Sequence, residues 1–431
     1  MPSQSTAAIY CGLWPSSHRV LAELVKLGYS TIVAQDGLVT PLVSKSVEDA
    51  GGTVRLVSEF IQQERGVAAI EASKQMNEAV RDLLEGADAA GPDDVGRVLA
   101  EAVQASTLQM IGLIEGLNAA LRLCSIRAAV FSETDIQFSR LAARIMRRNG
   151  ISTFLVAHGT LLGSDYTVSG DVLTDVVFTF GPSAARRLAE RGLHPGRIHV
   201  TGNPAWDHYP HFLDQRKAVR EHVCRECAFD ESRPLLMFGT TWMTHIMRFQ
   251  EDDLFEATTR AFLRAVRILR ERGVAFNCII KDRASNAKFG KDLIARFAHE
   301  ERVTDYRYAA GLAEQGIVSA DILVAYDSNL FVEAMFAGLP AINMWSPSSW
   351  TMGPCFDARD GMPFVARDEP ERLADAIQLL LTDPGARADV VNKMRARLPE
   401  YHREFDGRAA HRCAAIVDAY VRGAPLPPDA S

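Results

Sequence analysis

The stretch SADILVAYDSNLFVEAMFAGLPAINMWS, residues 319 to 346, decides the fold. Ile322 to Ala325 is an apolar run of strand length, and Asp327, Ser328 and Asn329 behind it are residues that cap helices. Leu330 to Ala337 then has a helical pattern, which Gly338, Leu339 and Pro340 stop before the next apolar run, Ala341 to Met344. Strand, loop, helix and strand in this order predict a parallel pair joined by a crossover helix. The helix start leaves unpaired N–H groups and a partial positive charge, which suit a phosphate at Ser328 and Asn329. Glu333 follows four residues after Asn329, so its carboxylate can lie on the same helix face and accept from ribose hydroxyls. A capped helix with a solvated glutamate has the same spacing.

The alternation continues outward from this stretch. Within the same half, Leu235 to Phe238, Ala275 to Ile280 and Asp305 to Tyr308 read as strands. In the first half the candidates are Ala7 to Tyr10, Thr31 to Ala34, Thr53 to Val57, Ala128 to Phe131, Thr153 to Val156, Val176 to Phe180 and Ile198 to Val200. Helix-length amphipathic segments separate them, so the class is α/β, and the restart at Leu235 fits two sheets better than one. A length of 431 residues also exceeds the roughly 250 to 300 over which one core usually grows. Expected boundaries are an amino-terminal domain 1–206, a connector 207–233 with one helix, a second domain 234–405, a last helix 406–421 and a disordered tail 422–431. Residues 59 to 123 show helical stretches broken at GADAAGPDD and no strand, an insertion whose later part, STLQMIGLIEGLNAALRL, reads as a buried helix or as an acceptor or dimer surface.

Composition excludes several classes. Forty-seven Lys and Arg against fifty-four Asp and Glu, a formal charge of −7, provide no basic field for nucleic acid. No apolar run approaches the roughly 18 residues of a membrane span, and the start MPSQSTAAIYCG lacks a secretory pattern. The expectation is a cytoplasmic protein, with room for attachment at the inner membrane face and for a homodimer. Seven cysteines include one CxxC, Cys224 and Cys227, with no second pair to complete a zinc site, so it reads as helical surface.

Loops after strands carry the remaining chemistry. His158, in AHGT after Thr153 to Val156, can take a proton near neutral pH, and Gly159 lets backbone approach a ligand. Glu133 and Asp135 in FSETD are alternative bases, or a carboxylate that stabilises developing positive charge; Asp135 also fits a helix cap. YCGLWPSSHR places Gly12, Ser16, Ser17 and His18 in the first βα loop, without the GxGxxG or GK[ST] that would mark NAD or ATP sites. Lys281 and Arg283 end a strand where open sheets bind ligands, and Thr240, Thr241 and Trp242 in FGTTW do the same. Asp207 in TGNPAWD is expected to cap or tie the connector.

The run from Ser319 to Ser346 resembles the sugar-nucleotide-binding region of GT-B glycosyltransferases, in which a Ser/Asn loop, a helical Glu and a G-x-P turn follow in this order. With AHGT at 157–160, FGPSAARRLAERGLHPGRIHVTGNPAWD at 180–207 and FGTTW at 238–242, residues 127 to 421 resemble the bacterial surface-polysaccharide branch. That branch includes teichoic-acid CDP-glycerol glycerophosphotransferases and capsule or Kdo-type glycosyltransferases. The resemblance implies two Rossmann-like domains facing a central cleft, the first for acceptor and the second for a UDP-, GDP-, CDP- or CMP-sugar. It implies Glu333 on the donor ribose, Ser328 and Asn329 on the diphosphate, and a glycan or glycolipid acceptor. Where teichoic-acid enzymes commonly place His-Pro, this chain has Lys281-Asp282-Arg283, which favours sugar transfer over glycerophosphate transfer. Lys281 and the helix start would replace a metal in stabilising the leaving group, so neither metal nor cofactor is expected. A nucleotide-sugar 2-epimerase of the same frame is the alternative reaction, and a non-catalytic nucleotide- or glycan-binding protein the alternative class.

Overall fold

In the computed structural model the described residues are 7–14, 17–61, 74, 75, 78, 93–134, 137–157, 159, 172–241, 254–283, 286, 289–309, 313–345 and 356–427. Among them, strands β1 (Ala7–Gly12), β2 (Thr31–Ala34), β3 (Thr53–Leu56), β4 (Ser125–Phe131), β5 (Ser152–Val156), β6 (Val176–Thr179) and β7 (Ile198–Val200) form a seven-stranded parallel sheet ordered 3-2-1-4-5-6-7. Strands β8 (Leu235–Gly239), β9 (Asn277–Lys281), β10 (Arg307–Tyr308), β11 (Ile322–Ala325) and β12 (Ala341–Asn343) form a second parallel sheet ordered 10-9-8-11-12. Parallel strands covered on both faces must be apolar throughout. LLMFG of β8 and ILVA of β11 are accordingly buried at every position.

Helices cover both faces: α1 (His18–Lys26), α2 (Pro41–Asp49), α3 (Asp93–Leu123), α4 (Gln137–Arg148) and α5 (Pro182–Glu190) around the first sheet, and α8 (Leu254–Glu271), α9 (Gly290–Glu300), α10 (Ala313–Ser319), α11 (Leu330–Ala337), α12 (Pro370–Thr382) and α13 (Pro384–Tyr401) around the second, with α6 (Tyr209–Asp214) and α7 (Arg216–Cys227) between and α14 (Ala409–Arg422) last. Alternation along β1 divides the first core. Ile9 and Cys11 pack with Val20 and Leu24 of α1 and with Cys413 and Val417 of α14. Ala8 and Tyr10 point the other way, into a cluster with Leu113 and Leu117 of α3 and Ala142 of α4.

Three expectations change. The stretch after residue 207 holds two helices rather than one, because Pro210 starts a short helix and Gln215, outside helical φ/ψ, separates it from α7. Cys224 and Cys227 are buried rather than on a helical surface: they share the face of α7 that carries Val219 and Val223. β3 ends at Leu56 and the chain turns into a short 3-10 helix, Val57–Phe60. The final helix, α14, returns to the first sheet. Its amino end is capped from the connector by Asp207, whose carboxylate accepts the N–H groups of Ala409 at 2.9 Å and Ala410 at 2.8 Å.

Candidate functional site

In an open parallel sheet the ligand crevice opens at the carboxyl ends of adjacent strands whose connections leave in opposite directions. In the first sheet that point lies between β1 and β4. Gly12 ends β1; a Cβ there would lie 2.9 Å from the ring of Phe131, so the close approach of the two strands requires glycine. Beyond it the Trp14 N–H donates to Ser132 Oγ at 2.9 Å, and the Ser132 N–H donates to Gly12 O at 3.2 Å, tying the two loops together. Ser17 and His18 are buried at the start of α1, and Glu133 is half-buried just after β4. Gly159, after β5, is buried. His158, Asp135, Ser16 and Trp242 lie outside the described residues.

In the second sheet the corresponding point lies between β8 and β11. Gly239, the last residue of β8, would place a Cβ 2.3 Å from Leu330 Cδ1, so glycine lets the first turn of α11 settle over the strand end. Asp327 holds a left-handed φ of 34°, costly for a residue with a Cβ. Its N–H donates to Asn343 Oδ1 at 3.0 Å, and its Oδ1 accepts the Phe356 N–H at 3.4 Å. That bend delivers Ser328 and Asn329 to the start of α11, where Asn329 is the N-cap residue and its side chain makes no cap hydrogen bond.

Glu333 is the single charged residue of an otherwise apolar helix, LFVEAMFA, and is only 8% exposed. It accepts a hydrogen bond from the fully buried Tyr209 hydroxyl. Burial raises its pKa, while the charge of Lys281 and the Tyr209 bond act in the opposite direction. Lys281 ends β9 half-buried; burial lowers its pKa, and the Glu333 charge acts against that shift. A carboxylate and an ammonium on different elements thus oppose each other's desolvation at one strand edge. The neighbouring connector residue, His208, has Nε2 2.9 Å from Glu314 Oε2 on α10 and Nδ1 3.3 Å from Arg19 Nη1 on α1. Two consecutive residues therefore link the first turn of α1, next to His18, to the elements around Glu333.

One residue of this edge was passed over in sequence. Asp282, between Lys281 and Arg283, accepts from the Thr240 hydroxyl at 2.6 Å, Asn286 Nδ2 at 2.9 Å, the Arg283 N–H at 2.9 Å and the Tyr308 hydroxyl at 3.0 Å. The Thr240 hydroxyl, expected to meet a ligand, is thus committed to Asp282. Thr241 is buried, and its carbonyl accepts from Asn286 Nδ2 at 2.9 Å. Two partners of Asp282, Thr240 and Tyr308, lie 42 and 26 positions away in the chain, and no local spacing could have announced them. Arg283 is half-buried, with its backbone fixed by the same carboxylate.

Among the described residues, no group of three or more His, Cys, Asp or Glu is arranged to hold a metal ion, and no helix is long and apolar enough to cross a membrane.

No protein-family model matches the chain, and no curated protein matches it in sequence. In three dimensions it is similar to the UDP-GlcNAc 2-epimerase from Neisseria meningitidis bound to UDP-GlcNAc, at 12% identity over 96% of this chain and 99% of that one, with a TM-score of 0.57. It is similar to a glycosyltransferase from Rickettsia africae at 10% identity, covering 96% and 99% of the two chains with a TM-score of 0.54. It is also similar to the wall teichoic acid polymerase TagF at 11% identity, covering 97% and 89% with a TM-score of 0.56. The fold is the GT-B fold, the architecture that the run around Glu333 implied.

Proposed function

We propose that the protein is a glycosyltransferase that moves a sugar from a nucleotide-sugar donor to a surface polysaccharide or glycolipid acceptor. The observation that carries this reading is the α11 amino terminus at the second sheet's switch point, with the buried carboxylate of Glu333 one turn into the helix and Lys281 at the end of β9, two strands from β11. The helix start and Lys281 supply positive charge for a diphosphate. Glu333 supplies an acceptor for a ribose diol, which would take the place of the Tyr209 hydroxyl. The GT-B neighbours, one bound to UDP-GlcNAc and one a glycosyltransferase, favour the same class of donor.

In the reaction the acceptor oxygen bonds to the anomeric carbon and the bond from that carbon to the donor phosphate breaks. The electron pair leaves with the nucleotide, where Lys281 and α11 meet the added charge. The acceptor proton passes to a base on the first sheet's crevice: Glu133 is the described candidate, with His158 and Asp135 the other two expected from sequence. The protein would work at the cytoplasmic side of the cell envelope.

A 2-epimerase is the second reading, favoured by the similarity to the Neisseria meningitidis enzyme. A thermal-shift screen against UDP-, GDP-, CDP- and CMP-sugars identifies the donor, because a ligand bound only by the folded state raises the melting temperature. NMR of the bound donor class, incubated without acceptor, then separates the reactions. An unchanged C2 configuration, with release of nucleotide only when acceptor is added, supports transfer. Inversion at C2 without acceptor overturns it in favour of epimerisation, and no stabilisation by any nucleotide sugar overturns both.

A further inference from the structure

A cavity of about 630 Å³ opens beside the first sheet, between the loop after β2, the 3-10 turn at Val57–Phe60, and helices α3 and α4. Its walls are Val57, Ile61, Leu108, Leu113 and Phe138, with Gln35, Asp36 and Gln109 as polar groups. The volume lies within the roughly 300 to 1,000 Å³ of small-molecule sites, and a mostly apolar lining with few polar groups is their usual composition. Ile61 and Leu108 remain 37% and 36% exposed at this cavity, a solvation cost that a ligand would remove.

Two glycines on α3 sharpen the point. A Cβ at Gly116 would lie 2.5 Å from Val57 Cγ1, so packing alone demands glycine there. One turn earlier, a Cβ at Gly112 would meet, among the described residues, only Ile61 Cδ1, at an ordinary 3.6 Å. Glycine inside a helix costs about 0.5–1 kcal/mol relative to alanine, and packing among the described residues does not require it at Gly112. What it does is leave space in the cavity wall.

The cavity lies on the carboxyl side of the first sheet, as the crevice does. Gln35 follows β2 on the carboxyl edge of the sheet, and its Oε1 accepts from the buried Tyr10 hydroxyl at 3.3 Å. The Tyr10 ring packs on Phe131 with centroids 5.5 Å apart, two residues before Glu133. Phe138, on the cavity wall, stands in the first turn of α4, five residues after Glu133.

We infer that this cavity holds the alkyl or prenyl tail of an amphiphilic acceptor whose hydroxyl lies at the crevice near Glu133. The choice of reacting end rests on the transferase reading; the apolar specificity rests on the cavity itself. The probe is n-octyl β-D-glucoside below its micelle concentration, with glucose as control, followed by saturation-transfer NMR and titration. Wild type, Gly112→Leu, which fills the cavity, and Leu108→Ser, at an exposed position, are compared, with UDP binding measured in parallel by thermal shift. The expected result is saturation of the octyl protons in wild type, none for glucose, and at least tenfold weaker octyl binding in both variants with UDP binding retained. Equal octyl binding in wild type and both variants, no octyl binding in wild type, or glucose binding as tight as the glucoside overturns the inference. Octyl binding that Gly112→Leu blocks, in a protein that no UDP-, GDP-, CDP- or CMP-sugar stabilises, supports the cavity and removes the donor assignment instead.

Discussion

Replacing Tyr209 by Phe removes a single hydroxyl, and the structure says what that hydroxyl does. It donates to Glu333, a carboxylate 8% exposed, from a side chain that is itself fully buried. A hydrogen bond to a charged group is worth about 1.5–3 kcal/mol, and removing the donor leaves the carboxylate without it. The ligand-free protein should therefore lose about 1.5–3 kcal/mol of stability in urea unfolding. If a ribose diol replaces the Tyr209 hydroxyl on Glu333, the nucleotide-bound state never contained that bond and loses nothing. The difference must then reappear as tighter nucleotide binding, about 10- to 150-fold at roughly 1.4 kcal/mol per decade. Isothermal titration calorimetry with the nucleotide sugar selected by the thermal-shift screen measures it directly. Affinity equal in wild type and Tyr209→Phe, alongside a clear stability loss, would mean that ligand and tyrosine do not compete for Glu333, and the reasoning would be refuted.

Two further outcomes follow from polar groups tied into the fold. Asp282→Ala strips an acceptor from Thr240, Asn286, Tyr308 and the Arg283 N–H, and should cost about 2–4 kcal/mol of stability in urea unfolding; a loss below about 0.5 kcal/mol would show that the cluster contributes little. His402, 2% exposed and accepting the Asn203 N–H at 2.7 Å, has its pKa lowered by burial to about 3, so the unfolded chain binds a proton that the folded one rejects. Its contribution is complete above the ordinary histidine value of about 6.5 and falls away as pH drops from there toward about 3, by about 1.4 kcal/mol per unit. Stability measured from pH 7 to pH 5 should decline by about one proton's worth more in wild type than in His402→Gln, and parallel profiles would contradict the assignment.

The strands were legible because a buried parallel strand has nothing to alternate against: Ile322 to Ala325 and Leu235 to Phe238 stand out as apolar runs bounded by polar residues and turns. The crossover at α11 was legible for the same reason, since its cap residues and Gly338 act locally. What escaped was everything decided between distant elements. The apolar face of α14, with Ala410, Cys413, Ala414 and Val417, would suit either sheet, and only the capping of its first turn by Asp207 and its packing on the first core show which one it meets. Cys224 and Cys227 looked like surface because α7 is rich in charge, yet the i, i+3 pair lies on its buried face. At the candidate site, sequence singled out Glu333, Ser328, Asn329 and Lys281 as expectations but not Tyr209, which reaches Glu333 across 124 positions. Hydrogen-bond partners that far apart leave no periodic trace in a single sequence.

The central claim is that Glu333 grips the ribose of a nucleotide sugar, and calorimetric titration of Glu333→Ala with the donor that stabilises the wild type tests it most directly. The account expects at least a tenfold loss of affinity, about 1.4 kcal/mol, with the folded structure retained by circular dichroism. Undiminished affinity in a folded Glu333→Ala protein would contradict it.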